Sequence, residues 1–351
     1  MGKTPDKPAR RQGAGITRWL MRVAMLAAAI PMAAAGLLFI FSKQELIFNP
    51  APLAYDLKSG STLRSVARDL EALGIMTTPG SALLFEVMGR LRGDAPHIKA
   101  GNYEFESPAT PLKLLQKMTR GDATQSAVRF IDGWTFRQIR QALDTHEALR
   151  HDTKDMSNQA IARALGVPEA QPEGWIFPET FHFSRGASDL AVLKRAHRLM
   201  QQHLATQWNS RAADLPLATP YEALILASIV EKETGKAADR AMVASVFVNR
   251  LRVNMRLQTD PSVIYGMGDD YSGTLRRRDL QADTPWNTYT RAGLPPTPIA
   301  MPGLASIQAA LNPADSKMLY FVARGDGSSQ FSRTLEEHNA AVNKYLRSGK
   351  R

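Results

Sequence analysis

The 351-residue chain contains no cysteine, which removes disulfides, zinc–thiolate sites and thiol nucleophiles from consideration. Histidine is sparse. The seven (His97, His146, His151, His182, His197, His203 and His338) fall at no metal-ligand spacing, so neither a metal nor a cofactor is expected. A P-loop, a dinucleotide fingerprint and a Gly-x-Ser-x-Gly elbow are also missing, which leaves nucleotide chemistry and serine hydrolysis unsupported. Aromatic residues make up only 7% and do not interleave with basic ones in a stripe, so nucleic acid is not an expected partner. What is left for catalysis is acid–base work by carboxyl groups.

Charge is present but uneven. The net charge is +11, and the first 22 residues set Lys3, Lys7, Arg10, Arg11, Arg18 and Arg22 against Asp6 alone. Residues 1–22 therefore read as a basic tail, disordered over Met1 to Thr17. Val23 to Phe41 follows as an uncharged run of 19 residues, about 28 Å long as a helix and enough to cross a bilayer core. The basic flank puts the tail in the cytoplasm and the rest of the chain outside. A cleaved signal peptide ending at Ala33-Ala34-Ala35 is the rival reading. The apolar run continues through Gly36 to Phe41, which a signal peptide does not need. With 44% hydrophobic residues the remainder is ordinary globular protein, long enough for two domains.

Asn49-Pro50-Ala51-Pro52 reads as a linker, and a small module at 55–121 follows. Thr62 caps a helix with the stripe Leu63, Val66, Ala67, Leu70 and Leu73; a second helix carries Leu83, Leu84, Val87 and Leu91. Residues 100–105 alternate as a strand, and Thr110-Pro111 opens another helix. A larger domain spans 124–348. Its aromatic segment Glu173 to Phe181 reads mainly as core, with the carboxylate of Glu179 in its loop.

The larger domain is organised around Ala223 to Gly235. From Ala223 to Val230 only Ser228 is polar, and then Glu231, Lys232 and Glu233 arrive without a break. Such a run is a helix buried nearly all round, stopped at Gly235. At about 100° per residue, Glu231 continues the stripe of Leu224, Ala227 and Ser228, and Glu233 continues Leu226 and Ile229. Both carboxyls extend buried faces, where desolvation favours a protonated acid. Periodicity does not choose between them. Further on, Ala238 to Val253 is a helix with Arg250 and Arg252 mostly solvated, Asp260 caps Pro261 to Met267, and Arg276-Arg277-Arg278 is a solvated turn.

LILASIVEKETG, followed by VASVFVNRLRVNMRLQTDPSVIYGMG, resembles the signature of the endolytic murein transglycosylases, the MltG or YceG-like family. The segments Glu173 to Phe181, Trp286 to Tyr289, Gly293 to Ile299 and His338-Asn339 are similar to further family patterns. The resemblance implies a LysM-like module at 55–121 and a lytic transglycosylase domain at 124–348. It implies Glu231 as the catalytic residue, with Gln258, Asp260, Asn287, Tyr289 and Glu179 against the substrate. The expected fold class is α+β: one N-terminal transmembrane helix, the LysM-like module, and a mainly helical catalytic domain with small sheets. The implied reaction cuts the N-acetylmuramic acid–N-acetylglucosamine bond inside peptidoglycan strands and leaves 1,6-anhydro ends, at the inner membrane with the catalytic domain in the periplasm. Cell-wall synthases are the implied protein partners. Two alternatives stay open: a glycan-binding protein without catalysis, and a muramidase pairing Glu231 with Glu179, Glu233 or Asp260.

Overall fold

The structure, a computed structural model, describes residues 13–233 and 235–347; the disorder expected over Met1 to Thr17 fails at residues 13–17, which are helical, and its remainder, like the last residue of the 124–348 domain, lies outside the described residues. The chain forms two compact units, Met1–Gln125 and Ser126–Arg351.

In the first unit, α1 (Gly13–Lys43) starts earlier than the uncharged run, taking Arg22 into the helix. Within it Met21–Lys43 is long and apolar enough to cross a membrane. β1 (Leu53–Leu57) precedes α2 (Leu63–Ala72) and α3 (Ser81–Leu91). β2 (Gly101–Phe105) then pairs antiparallel with β1, setting Tyr55 opposite Tyr103, and α4 (Pro111–Arg120) closes the module. Thr62 caps α2 in a reciprocal box with Ser65, and Thr110 caps α4. The expected faces hold only in part. Leu73 lies past the last turn of α2 and is exposed. α3 turns Phe85 and Met88 inward and leaves Leu83 and Leu91 outside. Asn49 to Pro52 is exposed; just before it, Leu46 bridges to Ala109 and Phe48 N–H donates to Ser107 Oγ at 3.1 Å.

The second unit is mainly helical. β3 (Gln125–Arg129), α5 (Phe136–Asp144), β4 (Leu149–Arg150), α6 (Asn158–Leu165), β5 (Thr180–Ser184) and β6 (Ala187–Ser188) lead into the long α7 (Asp189–Asn209). α8 (Pro220–Glu233), α9 (Ala237–Arg252), α10 (Asp260–Met267), the short α11 (Arg277–Gln281) and α12 (Leu304–Leu311) follow. β7 (Tyr320–Ala323) and β8 (Ser329–Ser332) form a hairpin before α13 (Leu335–Val342). Among the described residues every sheet has two strands. Trp175, Phe177 and Phe181 are buried, as the core reading requires.

α8 lies at the centre. Every residue from Ala223 to Val230 is buried, and α7, α9, α10 and α12 pack round it. Two expectations fail here. Arg250 is buried rather than solvated, because its guanidinium serves the carbonyls of Leu319 (2.7 Å) and Leu257 (2.6 Å). Arg277 and Arg278 are exposed as expected, but they open α11 instead of a turn.

Candidate active site at the end of α8

Ser228 pins the proline-rich segment onto α8. Its hydroxyl donates to Ile225 O at 2.7 Å and accepts the Ile299 N–H at 3.0 Å. The segment then runs to Gly303, whose N–H donates to Glu231 Oε2 at 2.9 Å. On the other side, Gly133 N–H donates to Met301 O (2.8 Å) and Met301 N–H to Trp134 O (2.7 Å). This clamp carries Asp132 over Gly303 so closely that a Cβ there would meet the Asp132 carboxyl at 2.8 Å. Burial first, and the nearby Glu231 charge second, push the Asp132 carboxyl above the usual aspartate range. Glu179 is exposed; its carboxylate accepts the N–H of Thr180 at 3.0 Å, and its charge adds to the same effect on Asp132. Lys232 joins the same clamp and donates to Gly133 O at 3.3 Å.

Glu233 faces a different set of residues. It is largely enclosed, accepts a short hydrogen bond from Thr259 Oγ1, and helps line a cavity of about 390 Å³. Gln258, Asp260, Tyr289, Arg250 and His338 line the same cavity. Burial raises the Glu233 carboxyl, the Thr259 hydroxyl opposes the rise, and the charge of Asp260 reinforces it. A carboxyl in that setting holds its proton longer than a solvated one, as a general acid must.

Asp260 does not cap its helix. The N-cap is Thr259, and the Asp260 carboxylate instead accepts the Tyr289 hydroxyl at 2.5 Å. Gln258 is exposed at φ +50°, in the left-handed region, with its N–H on Thr288 O at 3.1 Å. Thr259 N–H donates to Thr288 Oγ1 at 3.0 Å, so the two cavity segments are laced together.

Asn287 corrects the sequence reading. It is fully buried, its amide donates to Asp279 O, Leu280 O and Ala282 O, and its Oδ1 accepts the Tyr289 N–H. It shapes the loop that presents Tyr289. Gln258, Asp260 and Tyr289 are thus brought together around Glu233, while Glu231 and Glu179 share surroundings with Asp132.

Two groups escaped sequence reasoning. Glu173 is buried, accepts Phe136 N–H at 3.0 Å and the Tyr265 hydroxyl at 3.2 Å, and burial pushes its carboxyl up to about 7. It lines a cavity of about 740 Å³ with Tyr265, Trp286 and Tyr271. The available signal was its setting, an acid before Gly174 in an otherwise apolar segment. Asp144, His151 and Asp189 also gather, with possible ligand atoms within 4.8 Å of one another. No spacing motif announces them, because three separate segments supply them, and Asp189 is already engaged by the Thr153 N–H and hydroxyl.

Comparison with known proteins bears on this geometry. The model of the YceG-like family matches residues 55–344. A Bacillus subtilis protein named endolytic murein transglycosylase is 30% identical over 315 residues, covering 84% of each chain. A Streptococcus pneumoniae protein of the same name is 26% identical over 326 residues, covering 83% of this chain and 58% of that protein. The crystal structure of a yceG-like protein from Listeria monocytogenes superposes with a TM-score of 0.51 at 29% identity, covering 82% of this chain and 98% of that one.

Proposed function

This chain belongs to the YceG-like family, and from that membership we propose that it is a membrane-anchored endolytic lytic transglycosylase of peptidoglycan. It cuts between N-acetylmuramic acid and N-acetylglucosamine within glycan strands and limits the length of nascent strands. The names of its relatives support the reaction. One observation supports the residue: Glu233, enclosed at the end of α8, meets Gln258, Asp260 and Tyr289 across one cavity. Resemblance alone points to Glu231, but that carboxylate lies outside this cavity and takes the N–H of Gly303.

Glu233 gives its proton to the oxygen that bridges the two sugars, and the glycosidic bond breaks. The oxocarbenium-like centre that forms faces Asp260, which Tyr289 holds in place. The 6-hydroxyl of the same muramic acid attacks that centre, closing the 1,6-anhydro ring. Its proton goes to Glu233, which is restored for the next turnover, and no water is consumed. Gln258 contacts the ring edges. The 55–121 module is LysM-like and docks glycan, α1 anchors the chain with its N-terminus in the cytoplasm, the catalytic domain lies in the periplasm, and cell-wall synthases are its neighbours.

The test uses the full chain in detergent, uncrosslinked glycan strands and mass analysis of the products. Internal cuts ending in the anhydro sugar are expected from the wild type. Glu233→Gln, which cannot transfer the proton in either direction, is expected to fall at least 10²-fold, by order of magnitude. Glu231→Gln is expected to keep most activity; the reverse pattern would return the role to Glu231. Products heavier by one water would make the enzyme a muramidase. Strand binding with no cuts would make it a glycan-binding protein.

A further inference from the structure

The 740 Å³ cavity has no role in the chemistry above. Trp286, Tyr265, Tyr271 and Phe136 line it together with Glu173 and the polar side chains of Gln171 and Asn158. The indole is fixed on edge: Trp286 Nε1 donates to Thr297 Oγ1 at 2.9 Å, and the ring packs against Tyr265 at 5.7 Å between centroids.

Its charge is nearly balanced. Arg137 is paired with Asp269, and Glu173 is buried with its oxygens taken by Phe136 N–H and the Tyr265 hydroxyl. Such a cavity offers little to a phosphate, a free carboxylate or a strong cation. It suits an uncharged molecule with one apolar face and a polar rim, which is the character of an N-acetylated pyranose.

Its position relative to the Glu233 cavity is set by two shared pieces of chain. α10 begins at Asp260 on the Glu233 cavity and carries Ile264 and Tyr265 into the aromatic one. The loop that bears Tyr289 on one side bears Trp286 on the other. Asp260 and Tyr265 are five residues apart on α10, about 7.5 Å along its axis, so the two cavities are neighbours on one short helix.

We propose that the aromatic cavity is a distal saccharide subsite, in which Trp286 and Tyr271 hold an N-acetylated sugar ring of the same strand that Glu233 cleaves. The proposal rests on the reading of the Glu233 cavity given above. A ring seated beyond α10 requires strand on that side of the broken bond.

The full chain in detergent is assayed on long uncrosslinked strands and on an oligosaccharide too short to reach past α10. Trp286→Ala and Tyr271→Ala are each expected to raise KM for long strands roughly tenfold. The same variants should leave kcat within threefold and the short substrate unchanged, and Trp286→Tyr, which keeps a ring, should recover most of the loss. Tyr271 stands at the rim, so its variant does not depend on the packing of Trp286. An unchanged KM for long strands in both variants overturns the proposal. So does an equal loss on short and long substrates with a lowered Tm, because that marks a packing role. Strand retention, measured apart from cleavage, separates the two readings. A wild type that retains strands through Trp286 but does not cut them overturns the reaction and leaves the subsite standing.

Discussion

Glu231 and Glu233 stand two residues apart, which on a helix is about 200°. That angle sends one to Gly303 and Asp132 and the other to Thr259, Asp260 and Tyr289. Periodicity reveals that two acids extend buried faces, but a face has no content until the fold supplies its neighbours. Asn287 shows the same limit. A polar residue beside a tyrosine looks ready for a ligand, and only the three carbonyls around it show that it is fully used. Glu173 allows a sharp test. Its carboxyl is held at about 7 against an ordinary 4.5, so the folded protein keeps a proton that the unfolded chain has lost. Stability from this group is therefore greatest below about pH 4.5 and falls as pH rises to about 7, by at most about 3 kcal/mol. Urea unfolding of Glu173→Gln across that window should show a flatter pH dependence than the wild type. Ser228→Ala is expected to cost about 1–3 kcal/mol in the same assay, because the buried Ile299 N–H loses its acceptor.

At the scale of elements, much was legible. The helices opened by Thr62 and Thr110 begin where their hydroxyls announce them, and each hydroxyl makes the capping bond. The buried run of α8 is unmistakable, since seven of its eight residues are apolar. α3 is apolar on two sides, so its stripe could be drawn on the wrong one, and partners in three dimensions decide which side is inner. β1 carries no alternation strong enough to read alone; it exists because β2 pairs with it. Contact between elements also gives Gly174 its purpose. It sits at φ +82°, and a Cβ would come within 2.5 Å of Pro298. Gly174→Ala should destabilise the protein by more than the roughly 1–2 kcal/mol of the left-handed conformation alone. A drop in Tm larger than that of a surface Gly→Ala control would confirm it.

For the whole molecule the division into a small and a large unit was visible in composition and motif order, whereas the role of the membrane-proximal segment was not. If α1 lies in a bilayer, high salt should leave the full chain in the membrane pellet and detergent should release it; a soluble form beginning near Gly36 would mean that the helix is removed. The C-terminal turns of α1 are more than an anchor. Phe41 is buried in the core of the first unit together with Leu46 and Phe48, and the chain beyond them is stitched to Ala109 and Ser107. If α1 spans a bilayer, there is consequently no leash at the point where the chain would leave it. The small unit stands on the helix as a head stands on a bolt, at one altitude and with its tilt tied to that of the helix.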